Sequence, residues 1–365
     1  DFTDDVDVIF AFQGANLVIS DFMVSGFGRN VKNICLEIKK LSRLNKVITT
    51  IQTSVENIDN ENLVSELTSD LIKIGNESYK KETDIVSLLD SFDKTRDIYA
   101  NKTGLLGIPS GFTKLDEAID GIRPAHLWII GGYTSTGKTF FSLNMVRECL
   151  KQKRRVVYYS LEMSESDIIA RLYGIMTGSN SLQILKDKSI DISEARAELK
   201  ESGMSIITEL NELSEIKMSM LEENMKAPVD VFFLDYVQLV QSNKTEKEYD
   251  TMRVVSHELQ EISKKLGCPV VLLSQVSNEA AKNPDSRVIG YKGAGNIAAA
   301  ADLALELIPG EEDYETFRDK MNRGEKVEIK CVVKKNRHGR VGLFPIFFES
   351  STGRFLNNLN DDFGI

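Results

Sequence analysis

The stretch that most constrains the fold of this chain is LWIIGGYTSTGKTFFSLNMVRECL, residues 127–150. It begins as a short apolar run, breaks at a glycine-flanked loop and resumes with the apolar spacing of an amphipathic helix. The loop GYTSTGKT fits the pattern G-x-x-x-x-G-K-[ST] through Gly132, Gly137, Lys138 and Thr139. A strand before this pattern and a helix after it are the context in which it forms a phosphate-binding loop. We therefore predict that the chain folds around a strand, a P-loop and a helix.

This loop predicts a binding site for a nucleoside triphosphate and Mg²⁺. Main-chain N–H groups of a P-loop converge on phosphate oxygens, and the helix N-terminus adds partial positive charge. We expect Lys138 to reach the β- and γ-phosphates and the Thr139 hydroxyl to ligate Mg²⁺. A chance glycine-rich turn is disfavoured because strand and helix patterns both flank the motif. The residues predicted to bind the nucleotide are Gly132, Ser135, Thr136, Gly137, Lys138, Thr139 and Phe140.

Two acidic residues stand where nucleotide hydrolysis needs carboxylates. Asp235 ends the apolar run VFFLD, the place of a second acid that faces Mg²⁺. A carboxylate that only caps the next helix is the alternative. Tyr236 follows, so no neighbouring acid is available to deprotonate the attacking water. We assign that base to Glu162 in YYSLEM, on a strand expected beside the P-loop strand; a helix-start charge is its alternative role.

An amide and a basic cluster complete the candidate site. Gln275 ends VVLLSQ, where it could contact the γ-phosphate or be an ordinary strand-end amide. The basic cluster surrounds the turn NRHGR. Its positive charges either prevent an exposed edge strand from pairing with another chain or supply an arginine finger to a nucleotide on another subunit. Its members are Lys330, Lys334, Lys335, Arg337 and Arg340.

From residue 103 to residue 365 the pattern is typical of one mixed α/β domain. Short runs such as RRVVYYS, DVFFLDY and CPVVLLSQ alternate with segments long enough for helices. This predicts a mostly parallel sheet with helices on both faces. The runs KVEIKCVVKK and VGLFPIFFES, on either side of the NRHGR turn, predict an appended C-terminal antiparallel hairpin.

Residues 1–102 predict a smaller helical region. Leu44, Val47, Ile48 and Ile51 recur with helical spacing, and a similar pattern after NIDNEN completes a predicted helical hairpin. A further helix, ETDIVSLLDSFDKTRDIY, carries a narrow apolar stripe that packs either on its own domain or on a neighbouring subunit. The stripe consists of Ile85, Leu88, Leu89 and Phe92. The glycine-rich NKTGLLGIPSGF places the domain boundary between residues 102 and 103.

The amino-acid composition limits the expected cellular compartment and the metal and nucleic-acid ligands that the chain could bind. The four cysteines are far apart: Cys35, Cys149, Cys268 and Cys331. The three histidines are equally scattered: His126, His257 and His338. We therefore expect a reducing, cytoplasmic compartment and no zinc site. No stretch has the apolar length of a membrane span. The net charge of −10 argues against a generally basic coat, although a ring or cleft can confine positive charge to a few loops.

Taken together, these stretches resemble the DnaB-type replicative DNA helicases, hexameric rings with a RecA-like ATPase core. The resemblance runs from about residue 107 to about residue 348, where the P-loop, YYSLEM, DYVQLV, LSQVSNE and KKNRHGRVG keep the family's order. It implies an ATP- and Mg²⁺-dependent helicase that encircles single-stranded DNA and moves 5′ to 3′. It also implies a homo-hexamer that meets a primase and a helicase loader at the fork.

The resemblance also implies a role for each site residue. Glu162 becomes the catalytic base, Asp235 the Walker B acid and Gln275 the γ-phosphate sensor. Lys335 and Arg337 become finger residues that act on the nucleotide of an adjacent subunit, so that a monomer holds only half of each site. The P-loop departs from the family at YT, where Arg-Pro is usual.

The stretch GYKGAGNIAAAAD, residues 290–302, is similar to the family's central-channel loop that holds single-stranded DNA. Lys292, Gly293 and Gly295 fall at its phosphate-contacting positions. One cation and several unencumbered N–H groups suit contacts to the backbone without reading bases. A flexible loop before an alanine-rich helix is the alternative. Residues before about 39 are too few for the family's complete N-terminal domain, while 39–99 resembles its helical hairpin and linker helix.

Two other functions are compatible with a P-loop. A RecA-like recombinase would share the ATPase core but form a filament without separating strands, and SLEM, DYVQL and KKNRHG weigh against it. A regulatory ATPase or scaffold would use hydrolysis only to switch a partner interface. DNA-stimulated turnover and fork unwinding distinguish the helicase from both.

Overall fold

A computed structural model describes residues 42, 44–54, 67, 85–101, 104–133, 136–242, 248–275, 299–311 and 314–361. The chain divides into two compact units, Asp1–Arg96 and Asp97–Ile365. This division lies within a helix, and the predicted boundary between residues 102 and 103 stays a prediction.

The described residues of the first unit are helical. Residues 44–54 form a helix, as the apolar spacing predicts, and Leu67 is helical within the second predicted helix. Helix α1 spans Ile85–Asn101. The predicted apolar stripe is exposed, with 61% of Phe92 accessible. Docking of this stripe on a neighbouring subunit stays a prediction.

A sheet of nine strands organises the described part of the second unit, in the order β3-β2-β4-β5-β1-β6-β7-β8-β9. The strands β1 to β6 pair in parallel, and β7, β8 and β9 extend the sheet in antiparallel fashion. The bounds are β1 Leu127–Gly132, β2 Val156–Ser160, β3 Ser205–Ile207, β4 Val231–Asp235, β5 Val270–Gln275, β6 Leu303–Pro309, β7 Lys326–Asn336, β8 Gly342–Glu349 and β9 Arg354–Leu356. This topology confirms the predicted fold class, hairpin included.

Helices cover both faces of the sheet. They are α2 Thr113–Ile119, α3 Lys138–Lys151, α4 Glu165–Thr177, α5 Ser181–Lys186, α6 Ser193–Glu201, α7 Leu213–Lys226, α8 Glu248–Leu266 and α9 Tyr314–Asn322, with a 3₁₀ turn at Val237–Leu239. Alternate residues of β1 enter opposite cores: Trp128 joins Phe141 of α3, and Ile129 joins Leu259 of α8. Both faces are buried, which is why the parallel strands read as continuous apolar runs.

The strand order places the candidate site at one edge of the sheet. Strands β4, β5 and β1 are neighbours and run in parallel, so their carboxyl ends meet there. These ends are Asp235, Gln275 and Gly132. Ligands of open parallel sheets bind outside the carboxyl ends of the strands.

Candidate functional site

A cleft of about 320 Å³ opens at this edge of the sheet. It brings together most of the side chains that the sequence predicts for hydrolysis. Its lining is formed by Gly137, Lys138, Thr139, Phe140, Glu162, Arg171, Asp235, Tyr236, Gln275, Met321, Phe348 and Ser350. Charged groups of both signs therefore share the cleft with an apolar wall.

Gly137, the last glycine of the P-loop, has a backbone conformation that favours glycine. This residue has φ of 81°, and a Cβ there would lie 3.1 Å from the Phe348 ring. The next residue begins α3, and its ammonium folds back over the loop: Lys138 Nζ donates to the carbonyls of Gly132 at 2.9 Å and Tyr133 at 3.0 Å. Burial lowers the pKa of Lys138, while Asp235 and Glu162 oppose that change. The structure thus holds a partly desolvated cation at the start of a helix.

The two predicted metal-binding residues touch each other. Thr139 Oγ1 donates to Asp235 Oδ2 at 2.7 Å, and the buried hydroxyl of Tyr158 donates to the same oxygen at 3.0 Å. Ser142 continues the network, 3.0 Å from the Tyr158 hydroxyl. Burial raises the pKa of Asp235, and the hydrogen bonds from Thr139 and Tyr158 oppose the rise. A hydroxyl and a carboxylate are hard oxygen donors, the chemistry that Mg²⁺ prefers.

Glu162 reaches the cleft by a different route from the one expected. The expectation that β2 lies beside the P-loop strand is wrong, because β2 pairs with β3 and β4, and β4 and β5 separate it from β1. The crossover through α3 carries the chain over those two positions. Ser160 of β2 lies opposite Asp235, and the exposed Glu162 follows two residues later. Its carboxylate enters the cleft from the β4 side and contributes to the raised pKa of Asp235.

Gln275 lines the cleft at the end of β5, as predicted, and its main chain is held by another residue that the sequence did not single out. Gln238, in the 3₁₀ turn after Asp235, binds both the N–H and the C=O of Gln275. The motif DYVQLV contains Gln238, but spacing alone gave no reason to assign it a contact.

Arg171 is a cleft residue that the sequence analysis missed. It lies about two turns into α4, and its Cζ is 4.5 Å from the centre of the Phe140 ring, a cation–π geometry. Within the described residues its guanidinium has no hydrogen bond or ion pair, although burial lowers its pKa. Its position in the helix after the Glu162 strand is the one sequence signal that could have pointed to it.

Lys335 and Arg337 lie away from the cleft of their own chain. Lys335 Nζ donates to the carbonyl of Ala299 at 2.9 Å, and Arg337 pairs with the buried carboxylate of Asp302 at 3.1 Å. Asp302 also accepts from the N–H of Leu127, at the opposite end of β1 from the P-loop. Both cations therefore belong to the amino end of β1. Their predicted action on another subunit's nucleotide stays a prediction.

The same end of the sheet holds an unexpected contact between two histidines. His126 and His338, far apart in sequence, stack with ring centres 4.7 Å apart. Burial lowers the pKa of His126 to about 4, and the positive neighbours Arg123 and Arg337 add to that effect.

Several predicted site residues lie outside the described residues: Ser135, Lys292, Gly293 and Gly295. Their assignments stay predictions. Among the helices that the structure describes, none is long and apolar enough to cross a bilayer.

Comparisons with known proteins agree with the geometry of the cleft. A family model described as "DnaB-like helicase C terminal domain" matches residues 107–357. The replicative DNA helicase DnaC of Bacillus subtilis (strain 168) is 27% identical over 335 residues, covering 87% of this chain and 72% of that protein. The replicative DNA helicase DnaB of Geobacillus stearothermophilus is 26% identical over 291 residues, covering 77% of this chain and 62% of that protein.

Two solved structures share the fold. One, described as an ATPase domain, has a TM-score of 0.66 and 24% identity, covering 76% of this chain and all of that one. A DnaB-like replicative helicase, described with its interactions with primase, has a TM-score of 0.72 and 21% identity, covering 90% of this chain and 79% of that one.

Proposed function

Because this chain belongs to the family of DnaB-like helicases, we propose that it is the ATP-driven motor of a replicative DNA helicase. In this proposal a homo-hexamer encircles one DNA strand, moves 5′ to 3′ and separates the duplex at a replication fork. The observation that carries the proposal is a single cleft in which Lys138, Thr139, Asp235 and Glu162 converge. The cation, the hydroxyl and the two carboxylates are the groups that hydrolysis of a nucleoside triphosphate requires.

Thr139 and Asp235 would hold Mg²⁺, because their oxygens already lie 2.7 Å apart in the cleft. When bound, Mg²⁺ neutralises charge on the phosphates. Lys138 is placed to bind phosphate oxygens once it exchanges the carbonyls of Gly132 and Tyr133 for them. A phosphate would also satisfy the guanidinium donors of Arg171.

Hydrolysis also needs a general base near the γ-phosphate that can accept a proton from the attacking water. Glu162 is exposed at the cleft and pairs with no cation within the described residues, so its carboxylate is available to a water molecule. The Glu162 carboxylate would take one proton from the water as the water oxygen bonds to the γ-phosphorus. The bond from the γ-phosphorus to the oxygen that bridges the β- and γ-phosphates breaks, which releases ADP and phosphate. Lys138 and Arg171 would stabilise the negative charge that develops on the phosphate oxygens.

Coupling to DNA is the next step of the proposal. Lys335 and Arg337 would stabilise the transition state on an adjacent subunit, while their contacts to Ala299 and Asp302 join them to the chain that follows residues 276–298. Lys292, Gly293 and Gly295 in that stretch would bind the single-strand backbone. A nucleotide-dependent movement of the finger residues would then reach the DNA contacts through residues 299–302.

The proposal extends to domains, partners and compartment. Residues 103–365 would form the motor, and residues 1–102 would supply part of an N-terminal helical region and the linker helix α1. A primase and a helicase loader are the proposed partners in the cytoplasm. The support for a primase partner is the fold shared with a helicase whose structure was described with its primase interactions.

ATP turnover with and without single-stranded DNA, together with unwinding of forked duplexes, tests the motor. We expect single strands to accelerate turnover and forks with a free 5′ tail to open. Lys138→Ala should abolish both activities, and Lys151→Ala at the other end of α3 is the matched control. DNA-independent turnover without unwinding would instead indicate a regulatory ATPase. Filament formation on DNA without unwinding would indicate a recombinase.

A further inference from the structure

The last residues of β5 extend beyond the ladder that this strand forms with one neighbour. The ladder between β4 and β5 ends at the pair Leu234 and Leu272, whereas the ladder between β1 and β5 continues to Gly132 and Gln275. On the β4 side, the regular pairing therefore stops before Gln275. Main-chain N–H and C=O groups that are shielded from water need hydrogen-bond partners, because an unmade bond there destabilises the fold.

One side chain takes over where that ladder stops. Gln238 Nε2 donates to the carbonyl of Gln275 at 3.2 Å and to Ser274 Oγ at 2.9 Å. Its Oε1 accepts from the N–H of Gln275 at 3.2 Å. A primary amide offers a donor and an acceptor in the arrangement of a peptide group, so Gln238 acts in place of a further β4 residue.

We call the three hydrogen bonds that Gln238 makes with Ser274 and Gln275 the Gln238 clamp. The position of this clamp connects two parts of the nucleotide site. Gln238 lies three residues after Asp235, the end of β4, and Gln275 lines the cleft beside Lys138 and Thr139. The side chain of Gln275 can be aimed at a phosphate only if its main chain is fixed. Ser274 is fully buried, so the Gln238 clamp is built on an ordered support.

We propose that Gln238 is a positioning residue for ATP hydrolysis, which holds Gln275 where it contacts the terminal phosphate. The inference rests on the proposed function, since it takes Gln275 as the group that distinguishes a triphosphate from a diphosphate. Gln238 acts through Gln275 and makes no contact with the nucleotide itself. Its loss should therefore impair the catalytic step more than ATP binding.

Gln238→Leu removes all three hydrogen bonds, and Gln238→Glu keeps only the acceptor for the Gln275 N–H. We expect kcat to fall about tenfold for Gln238→Leu and less for Gln238→Glu, with KM for ATP within about twofold of wild type. The preference for a non-hydrolysable ATP analogue over ADP should fall as well, but only by about the same factor of two as the change in KM. Gln241→Leu is the matched control, because Gln241 is an exposed glutamine three residues away.

A double-mutant cycle identifies the route of the effect. If Gln238 acts through Gln275, then Gln238→Leu combined with Gln275→Ala should be no slower than Gln275→Ala alone. Losses that multiply in the double variant would overturn the proposal, as would unchanged kcat and unchanged nucleotide preference in both Gln238 variants. If Gln238→Leu does not fold, the same cycle is measured with Gln238→Glu. An inactive wild type would refute the proposed function, while the binding preference would still test the clamp.

Discussion

Thr139 Oγ1, at the start of the P-loop helix, donates a 2.7 Å hydrogen bond to Asp235 Oδ2, at the end of β4. The same carboxylate oxygen accepts from Tyr158 at 3.0 Å, so two hydroxyls fix its orientation. Burial raises the pKa of Asp235, and these donors oppose that rise by stabilising the carboxylate. The oxygens proposed to hold Mg²⁺ are therefore oriented by residues of the core.

Tyr158→Phe should weaken metal-dependent hydrolysis while retaining the fold. The change removes one hydrogen bond from the Asp235 carboxylate, which should lower the free energy of unfolding by about 1 kcal/mol. A less constrained and less stabilised carboxylate should shift the Mg²⁺ dependence of ATP turnover to about tenfold higher concentrations. Titrating turnover with Mg²⁺ at saturating ATP measures this shift.

Tyr159→Phe is the control for that variant. Tyr159 is the next residue of β2 and points into the opposite core, where its hydroxyl bonds to Ser219 at 3.0 Å. It should lose similar stability and keep the wild-type Mg²⁺ dependence. Equal Mg²⁺ shifts in the two variants would mean that Tyr158 serves the fold alone.

Arg337→Ala should destabilise the subunit even without a neighbour. Asp302 is only 5% exposed, and it loses the guanidinium that lies 3.1 Å away, while retaining the N–H of Leu127. The loss of one hydrogen-bond partner from a buried carboxylate typically lowers the free energy of unfolding by about 1–3 kcal/mol. Urea unfolding measures the loss. Arg340→Ala, on the same turn, should stay within about 0.5 kcal/mol of wild type, because Arg340 is exposed.

Arg337 thus has a structural role, its pair with Asp302, beside its proposed role at the nucleotide of another subunit. The structural role affects any test of a shared site. Inactive Lys138→Ala and Arg337→Ala chains should partly restore ATP turnover when mixed, since some interfaces then combine an intact P-loop with an intact finger. Lys335→Ala serves as a second finger variant that leaves the pair between Arg337 and Asp302 in place. Absence of recovery with both finger variants, when all chains still assemble, would contradict action in trans.

Asp116 should make stability depend on pH. Its buried carboxylate accepts the N–H of Ser110 at 3.0 Å, yet burial raises its pKa to about 6 from the model-peptide value of 3.8. Because the folded-state pKa is raised, the stabilisation is present below about pH 4 and lost as the pH rises through about 6. At about 1.4 kcal/mol per pKa unit, wild type should lose about 3 kcal/mol relative to Asp116→Asn across this window.

Denaturant unfolding between pH 4 and 7 tests this sign. Asp187→Asn supplies a control of opposite direction, because hydrogen bonds from Ser189 lower the pKa of the exposed Asp187. For that pair, any advantage of wild type is lost only as the pH falls below about 4, so it should stay nearly constant across this window. A difference between wild type and Asp116→Asn that is flat across the window would show that Asp116 stays ionised in the folded protein.

Local patterns predicted the fold well where the physics is local. The P-loop, the parallel strands and the C-terminal hairpin follow from glycine placement and apolar periodicity, which act over short stretches of chain. The same patterns placed Lys138, Thr139, Asp235 and Gln275 at strand ends or a helix start. Parallel pairing then brings those ends to one edge, as the structure shows.

Strand order and side-chain partners could not be read from the same patterns. The position of β2 depends on which strands the α3 crossover passes, so the expected neighbour of β1 was wrong. Arg171 and Gln238 enter the site through helix packing and the unequal extents of the two ladders of β5. Neither residue type nor sequence spacing predicts such contacts.

The amino-acid sequence by itself determined that this chain binds a nucleotide, because a phosphate cradle is a local arrangement of glycines, a lysine and a helix start. Only the tertiary structure decided the side-chain partners: Tyr158 on Asp235 and Gln238 on Gln275 near the cradle, and Arg337 on Asp302 at the opposite end of β1. These pairs join residues distant along the chain, and their meeting depends on the order and register in which nine strands pair.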